Sequence, residues 1–468
     1  MHQVTQLIDG QWGATDDTRY LSVVSPFDGT PVTRLPIASE GQVAAAVKAA
    51  RNAASGWRVT AAGARAAALR AAADAVAAAA GELASLMSSE MGKPVDGARD
   101  SIAAGVDTLR QYAELGPIHR GRALVGDDDA IDLMAHGPRG VVAIITPWND
   151  PVAVSCGLLG AALVTGNTVV YKPSERAPAT GWRLTQIMAP HFPDAVLSLL
   201  TGDGSVGAAL AAADVDVVAH VGSTATGRSI AAACARTGAK AVLENGGSDP
   251  LIIDADVDPV WAANQAALGA FANSGQICVA VERIYVHRDL ADVFVEALTA
   301  EADTWSHAIG PLVDRRLRDA VHTQVRAAVD SGARLVHGGV IPDGPGSYYP
   351  PTVLADCTDD MAVVREETFG PVAPLLIVDS FDEALHRAAD SPYGLAATVL
   401  TGTMSHAQRA WRDLPVGTVK VNAVFGGAPG GAAHPRRGSG QGYGYGPELL
   451  DEMTATKAVH IQAPPNGW

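Results

Sequence analysis

Hydrophobic and polar positions change rhythm twice along this chain. Residues 41–54 (GQVAAAVKAARNAA) and 61–91 (AAGARAAALRAAADAVAAAAGELASLMSSEM) are dominated by alanine with charges spaced along their faces. That pattern predicts two helices, the second stopped by Gly92 and Pro94. From residue 140, short β-branched runs alternate with helix-like stretches: GVVAIITP (140–147), NTVVYKP (167–173), AVLSLLTG (195–202), VDVVAHVGS (215–223) and KAVLENGG (240–247). Such alternation predicts βαβ units around a parallel sheet buried on both faces. Ligands bind these sheets at the carboxyl ends of the strands, where Asn149, Lys172, Ser174, Glu175, Ser223 and Glu244 fall. A second α/β pattern follows residue 278, with candidate strands at 283–287, 333–339, 372–380, 397–402 and 417–422. Residues 120–139 read as a hairpin or arm, and the glycine-rich stretch 426–446 reads as a flexible loop. The fold class is α/β, with two sheet-bearing units.

Composition narrows the partners. At 468 residues the chain is long enough for two or three domains, and its net charge of −16 argues against a nucleic-acid phosphate partner. The four cysteines (Cys156, Cys234, Cys278, Cys357) form no CxxC pair, so neither a zinc knuckle nor a dithiol is expected, and no metal is assigned. The first twenty residues lack a basic stretch followed by an apolar run, and the alanine-rich segments are broken by charges. A cytoplasmic protein with neither leader nor membrane span is the expectation.

Several short motifs carry chemistry, each beside a plainer explanation. GDGSVG (202–207) follows a strand and precedes a helix, as a dinucleotide fingerprint does, and puts Gly204 near a possible cofactor. In a chain with 49 glycines it can equally be chance, and Asp214 and Asp216 come too early for the ribose acid. In YKPSE (171–175), Lys172 can hold ribose or phosphate oxygens and Glu175 can accept from ribose hydroxyls, or both simply end a strand in solvent. VGSTATG (221–227) offers Gly222 and Ser223 either as a phosphate-binding helix start or as an ordinary cap. LENGG (243–247) supplies a carboxylate able to act as general base, and NSGQIC (273–278) supplies a thiol that is either a nucleophile or a buried filler.

Taken together and in order, these motifs resemble the aldehyde dehydrogenase superfamily. LIDGQW (7–12), SSEMGKP (88–94), TPWNDP (146–151), TGNTVVYKPSE (165–175), VGSTATG, LENGG, GQIC, EETFGPV (366–372) and SPYGLAATV (391–399) carry the resemblance over nearly the whole chain. It implies that Cys278 attacks an aldehyde, that Asn149 and the Cys278 backbone N–H meet the oxyanion, and that Glu244 activates water against the thioester. It also implies a cofactor against Ile145, Thr146, Pro147 and Trp148, with Lys172 and Glu175 at the adenosine ribose and Gly222 and Ser223 at the pyrophosphate. Glu367 would hold the nicotinamide ribose, with Phe369 near the ring. Hydride would pass to NAD, favoured by Glu175 over NADP, which remains possible. The implied organisation is a dinucleotide-binding domain (1–119 and 139–246), a catalytic domain (247–437) and an oligomerisation element (120–138 and 438–468) in a homodimer or homotetramer. The substrate would be a small-molecule aldehyde.

The chain also departs from that pattern. Asn245 replaces a usual leucine, Leu158 a usual lysine, and Tyr443–Gly444 a usual arginine–glutamate pair. The stretch AAHP (432–435) and a shortened segment after residue 298 alter the surroundings of the site. Because the missing lysine and glutamate are linked in many relatives to proton traffic at the general base, Glu244 is expected to exchange its proton by another route. Restoring the pair with Leu158→Lys and Gly444→Glu is the natural test. Two rival functions stand beside the dehydrogenase: a cofactor-binding protein with little turnover, and a cysteine esterase. Arg436 and Arg437 lie in a loop that could meet a substrate carboxylate.

Overall fold

The structure is a computed structural model that describes residues 1–13, 19–427, 431–432 and 434–464. The first β-rich region forms an eight-stranded sheet. Its centre is five parallel strands in the order Lys240–Glu244, Val217–Val221, Val141–Ile145, Thr168–Lys172 and Leu197–Leu199. Four of these five are fully buried in sequence, as runs of Val, Ile and Ala between helices require. Short antiparallel strands close the edges, Gln6–Ile8 with Gln11–Gly13 on one side and Gly440–Gln441 on the other. That last strand lies in the stretch expected to be a flexible loop. Backbone pairing of Gly440 with Glu244 and Gln441 with Leu243 docks it against the end of a central strand. Residues 428–430 and 433, from the same stretch, lie outside the described residues.

The alanine-rich N-terminal region forms helices Glu40–Val59, Ala62–Ala78, Ala80–Met91 and Val95–Leu115. Ser39 and Gln42 cap the first of these reciprocally. The single helix expected over 61–91 is two helices, because Ala79 leaves helical geometry (φ −95°, ψ 9°) and turns the axis. Gly81 lies in the first turn of the second helix, but no proline stands at the break and the alanine pattern runs through it. Gly92 does end the second helix, in the left-handed conformation at φ 82°.

A seven-stranded sheet follows, in the order Arg334–His337, Thr352–Ala355, Val372–Val378, Val281–His287, Asp249–Ile253, Ala396–Leu400 and Thr418–Val421. Two of these strands have no counterpart among the runs read from the sequence. Asp249–Ile253 is central despite Pro250, where the pairing register shifts and the missing N–H is tolerated. Thr352–Ala355 follows two prolines, which hide it as a loop. The arm is a hairpin of Arg122–Leu124 and Ala130–Pro138, and Thr454–Gln462 pairs along its whole second strand. Among the described residues no helix is long and apolar enough to cross a membrane.

Candidate active site

The carboxyl ends of the central strands meet the loop before Cys278 around a cavity of 460 Å³. Asn149, Glu244 and Cys278 line it together. Pro147 and Trp148 form one wall, Gly222 and Ser223 another, and Glu367 and Phe369 close it from the second sheet. Ile145, Thr146, Lys172, Ser174, Glu175 and Gly204 are not on this lining.

The Cys278 loop is set by unusual backbone. Asn273 and Ser274 both take left-handed φ (49° and 58°), a costly conformation for residues with side chains. Buried Gln276 compensates: its Oε1 accepts from the Val313 N–H at 2.9 Å and its Nε2 donates to the Asn273 carbonyl at 3.0 Å. The Ser274 hydroxyl donates to the Gly310 carbonyl at 2.7 Å. Asn149, just before helix Pro151–Val164, donates from Nδ2 to the Gln276 carbonyl at 3.0 Å. No second hydrogen bond from that amide is made among the described residues, and Asn149 lines the cavity. Gln276 and Asn273 were not singled out in the sequence, where the Gly-Gln-Ile run offered only its polar residue as a signal.

Glu244 ends its strand between Val221 and Gly440. Its backbone carbonyl accepts from the Gly222 N–H, but its carboxylate accepts no hydrogen bond among the described residues. Burial alone pushes its pKa from an ordinary 4.5 to about 7. Burial also pushes the Cys278 thiol well above its usual range, and the carboxylates of Glu244, Asp249 and Glu367 add to the effect. The thiol is therefore protonated until a base acts on it.

Glu367 reaches across to the Gly247 N–H at 3.0 Å, and a Cβ on Gly246 would stand 2.3 Å from its carboxylate. A side chain there would have to displace the Glu367 carboxylate. Burial raises the Glu367 pKa to about 7. Buried Glu282 accepts from the Thr368 and Phe369 N–H groups at 3.0 and 2.8 Å, holding Phe369 at a left-handed φ of 54°. Phe369 then packs edge-on against Trp148, with centroids 5.5 Å apart. Glu282 is a positioning residue that sequence motifs alone did not reveal.

The remaining motif residues are held by contacts of their own. Lys172 is buried, donates to the Pro173 carbonyl and stands 3.6 Å from Glu175, and burial lowers its pKa. Ser174 accepts from the Arg176 N–H. Thr146 hydrogen-bonds to the Tyr171 hydroxyl, and the Ile145 carbonyl contacts Nδ1 of His220. In GDGSVG, Asp203 caps helix Gly204–Ala211 by accepting from the Ser205 N–H, and Gly204 faces open space. Ser223 is the N-cap of helix Thr224–Thr237, so the ordinary cap is present at a helix start that also faces the cavity. A helix N-terminus, buried Lys172 and a Glu367 carboxylate with lone pairs free together fit a dinucleotide.

The chain matches the model of the aldehyde dehydrogenase family over residues 12–459. The chain belongs to the aldehyde dehydrogenase family. It is 34% identical to a mitochondrial aldehyde dehydrogenase of Leishmania tarentolae, with 97% of this chain and 94% of the relative covered. It is 33% identical to lactaldehyde dehydrogenase of Escherichia coli strain K12, covering 97% and 98%. Among solved structures it superposes on a P. syringae indole-3-acetaldehyde dehydrogenase mutant in complex with NAD+ and IAA, at TM-score 0.96 and 33% identity, covering 99% and 97%. The fold is that of an aldehyde dehydrogenase, and the activity is oxidation of an aldehyde with a nicotinamide cofactor. The two rival functions are not favoured.

Three departures from the family pattern now have a structural account. Asn245 donates to the Gly438 carbonyl at 3.1 Å and stitches its strand to the 438–439 turn. Leu158 is 1% exposed inside the largest core cluster, packed among apolar side chains. A Cβ on Gly444 would lie 2.6 Å from Oε2 of Glu244. Restoring the family's pair would therefore place a carboxylate against Glu244 and an ammonium in an apolar core. Arg437 is tied to the carbonyls of Ala389 and Ser391.

Proposed function

We propose that this aldehyde dehydrogenase works through a covalent intermediate on Cys278 and releases a free carboxylic acid. The observation that carries the reading is the meeting of Cys278, Glu244 and Asn149 on one cavity. Cys278 sulfur attacks the aldehyde carbon, and the oxyanion is met by the free Asn149 amide hydrogen and the Cys278 backbone N–H. Glu244, with a pKa of about 7, is matched to take the thiol proton near neutrality. A bound nicotinamide dinucleotide supplies the hydride acceptor that the thiohemiacetal needs to become a thioester. Glu244 gives up the thiol proton to solvent and then deprotonates the water that cleaves that thioester.

In this reading Glu367 and Phe369 hold the nicotinamide end, Pro147, Trp148, Gly222 and Ser223 the middle, and Lys172 and Glu175 the adenosine ribose. Ile145, Thr146 and Ser174 support the floor, and Gly204 lies at the margin. The Glu175 carboxylate disfavours a 2′-phosphate, so NAD is preferred to NADP. The arm and strand Thr454–Gln462 serve assembly into a homodimer or homotetramer. The test is NADH production across short aliphatic, aromatic, amino- and semialdehydes by wild type and Cys278→Ala. Loss of at least ~10³ in turnover is expected for the variant. Full turnover without the thiol overturns the reading.

A further inference from the structure

Glu244 and Cys278 line a second cavity as well, of 330 Å³, on the side away from Trp148 and Ser223. Its other polar groups are Thr418, Lys420 and Tyr445. It reaches the surface, since Gly426 and Tyr445 on its lining are both exposed. Lys420 is half-buried on the edge strand Thr418–Val421. Its Nζ donates to the Val424 carbonyl at 2.8 Å and lies 5.4 Å from the Phe425 ring centroid. Among the described residues it forms no ion pair within 4 Å, and its hydrogen bond and ring contact are to neutral groups.

The reaction proposed above leaves Glu244 two protons to discharge in each turnover, the thiol's before water attacks and the water's afterwards. When water attacks the thioester, a C–O bond forms, the C–S bond breaks, and one water proton moves to the Glu244 carboxylate. The new acid's own proton returns to the Cys278 thiolate. Glu244 thus ends each turnover protonated, with no hydrogen-bonded partner among the described residues to relieve it. On the other side lies the cavity assigned to the cofactor. We infer that Glu244 releases its proton to solvent through the second cavity, with Lys420 as the group that carries it onward by way of cavity water. Lys420 cycles between ammonium and amine, which consumes no further reactant. Burial lowers its pKa, against the opposing charges of Asp249 on strand Asp249–Ile253 and of Cys278. Glu244 itself faces Cys278 and Tyr445.

This inference rests on the proposed roles of Cys278 and Glu244, and the test separates the two. Wild type and variants are mixed with p-nitrophenyl acetate in a stopped flow, reading the p-nitrophenolate burst as acylation and the later rate as deacylation. Lys420→Met is expected to keep the burst amplitude, which also reports folding, while deacylation slows roughly tenfold. Added imidazole should restore the rate in a concentration-dependent way. Lys420→Arg keeps the charge but cannot give up a proton near neutrality, and should be as slow as Lys420→Met. Wild-type deacylation in either variant, or slow deacylation that imidazole leaves unchanged, overturns the inference. A wild-type burst that is missing, or that survives in Cys278→Ala, overturns the underlying reading instead.

Discussion

The two side chains proposed to react at this site are held in opposite ways. The loop before Cys278 spends two left-handed residues, a buried glutamine and the Asn149 amide on fixing one backbone path. Glu244 ends a strand paired on both sides, yet its carboxylate accepts no hydrogen bond among the described residues and rests against Gly444. A nucleophile must be aimed, and an oxyanion must find its donors already in place. A base must change protonation state, and fixed donors to its charged form would depress its pKa and weaken it. The contrast between a locked loop and an unpartnered carboxylate follows from those two demands.

The largest effect is expected on the locked side. Asn149→Ala removes the cavity-facing donor, and kcat should fall by ~10²–10³. The thermal midpoint should move little, because Gln276, the Ser274 hydroxyl and Asn273 still hold the loop. Steady-state kinetics beside a melting curve checks both. A kcat within threefold of wild type would mean the loop is aimed at something other than an oxyanion.

On the free side, Gly444→Ala should slow deacylation by roughly ten- to a hundredfold, since the added methyl occupies space 2.6 Å from Oε2 of Glu244. The p-nitrophenolate burst should keep its amplitude. An unchanged deacylation rate would show that Glu244 works from another rotamer than the one against Gly444. Leu158→Lys, its partner in the family's pattern, places a charge among fully buried apolar side chains. A loss of several kcal/mol in stability is expected there, read by denaturant unfolding.

Much of this arrangement was legible in the residue order, for identifiable reasons. Buried parallel strands announce themselves as apolar runs, so Val141–Ile145, Thr168–Lys172 and Val217–Val221 are plain, and the strand-end rule puts Glu244 and Asn149 in one place. The break at Ala79 was not legible, because alanine is as good a helix former at a bend as within a helix. Asp249–Ile253 was hidden by a proline that a register shift accommodates. Docking of Gly440–Gln441 was hidden too, since a glycine-rich run looks the same whether or not its backbone is paired. Glu282 and Gln276 act on backbone groups distant in sequence, and no local pattern encodes those partners. Leu158 and Gly444 are visible as departures, but only packing shows what the usual residues would meet there.

The smallest effect concerns stability, and it bears on why Glu244 is left unpartnered. Its folded pKa of about 7 is above the ordinary 4.5, so the protonated form is the one the fold favours. Below pH ~4.5 the group is neutral in both states and costs nothing. As pH rises through 7, the unfolded chain is already ionised while the folded one must ionise inside the cavity, and stability is lost. Glu244→Gln removes that loss. It should stabilise the protein by on the order of 1–3 kcal/mol at pH 9, with the gain shrinking toward pH 5. Urea unfolding of wild type and variant at pH 5, 7 and 9 measures the difference. A gain independent of pH would mean that the carboxylate is solvated and its pKa ordinary. The contrast with the locked Cys278 loop would then be one of hydrogen bonding alone, without an energetic cost at the base.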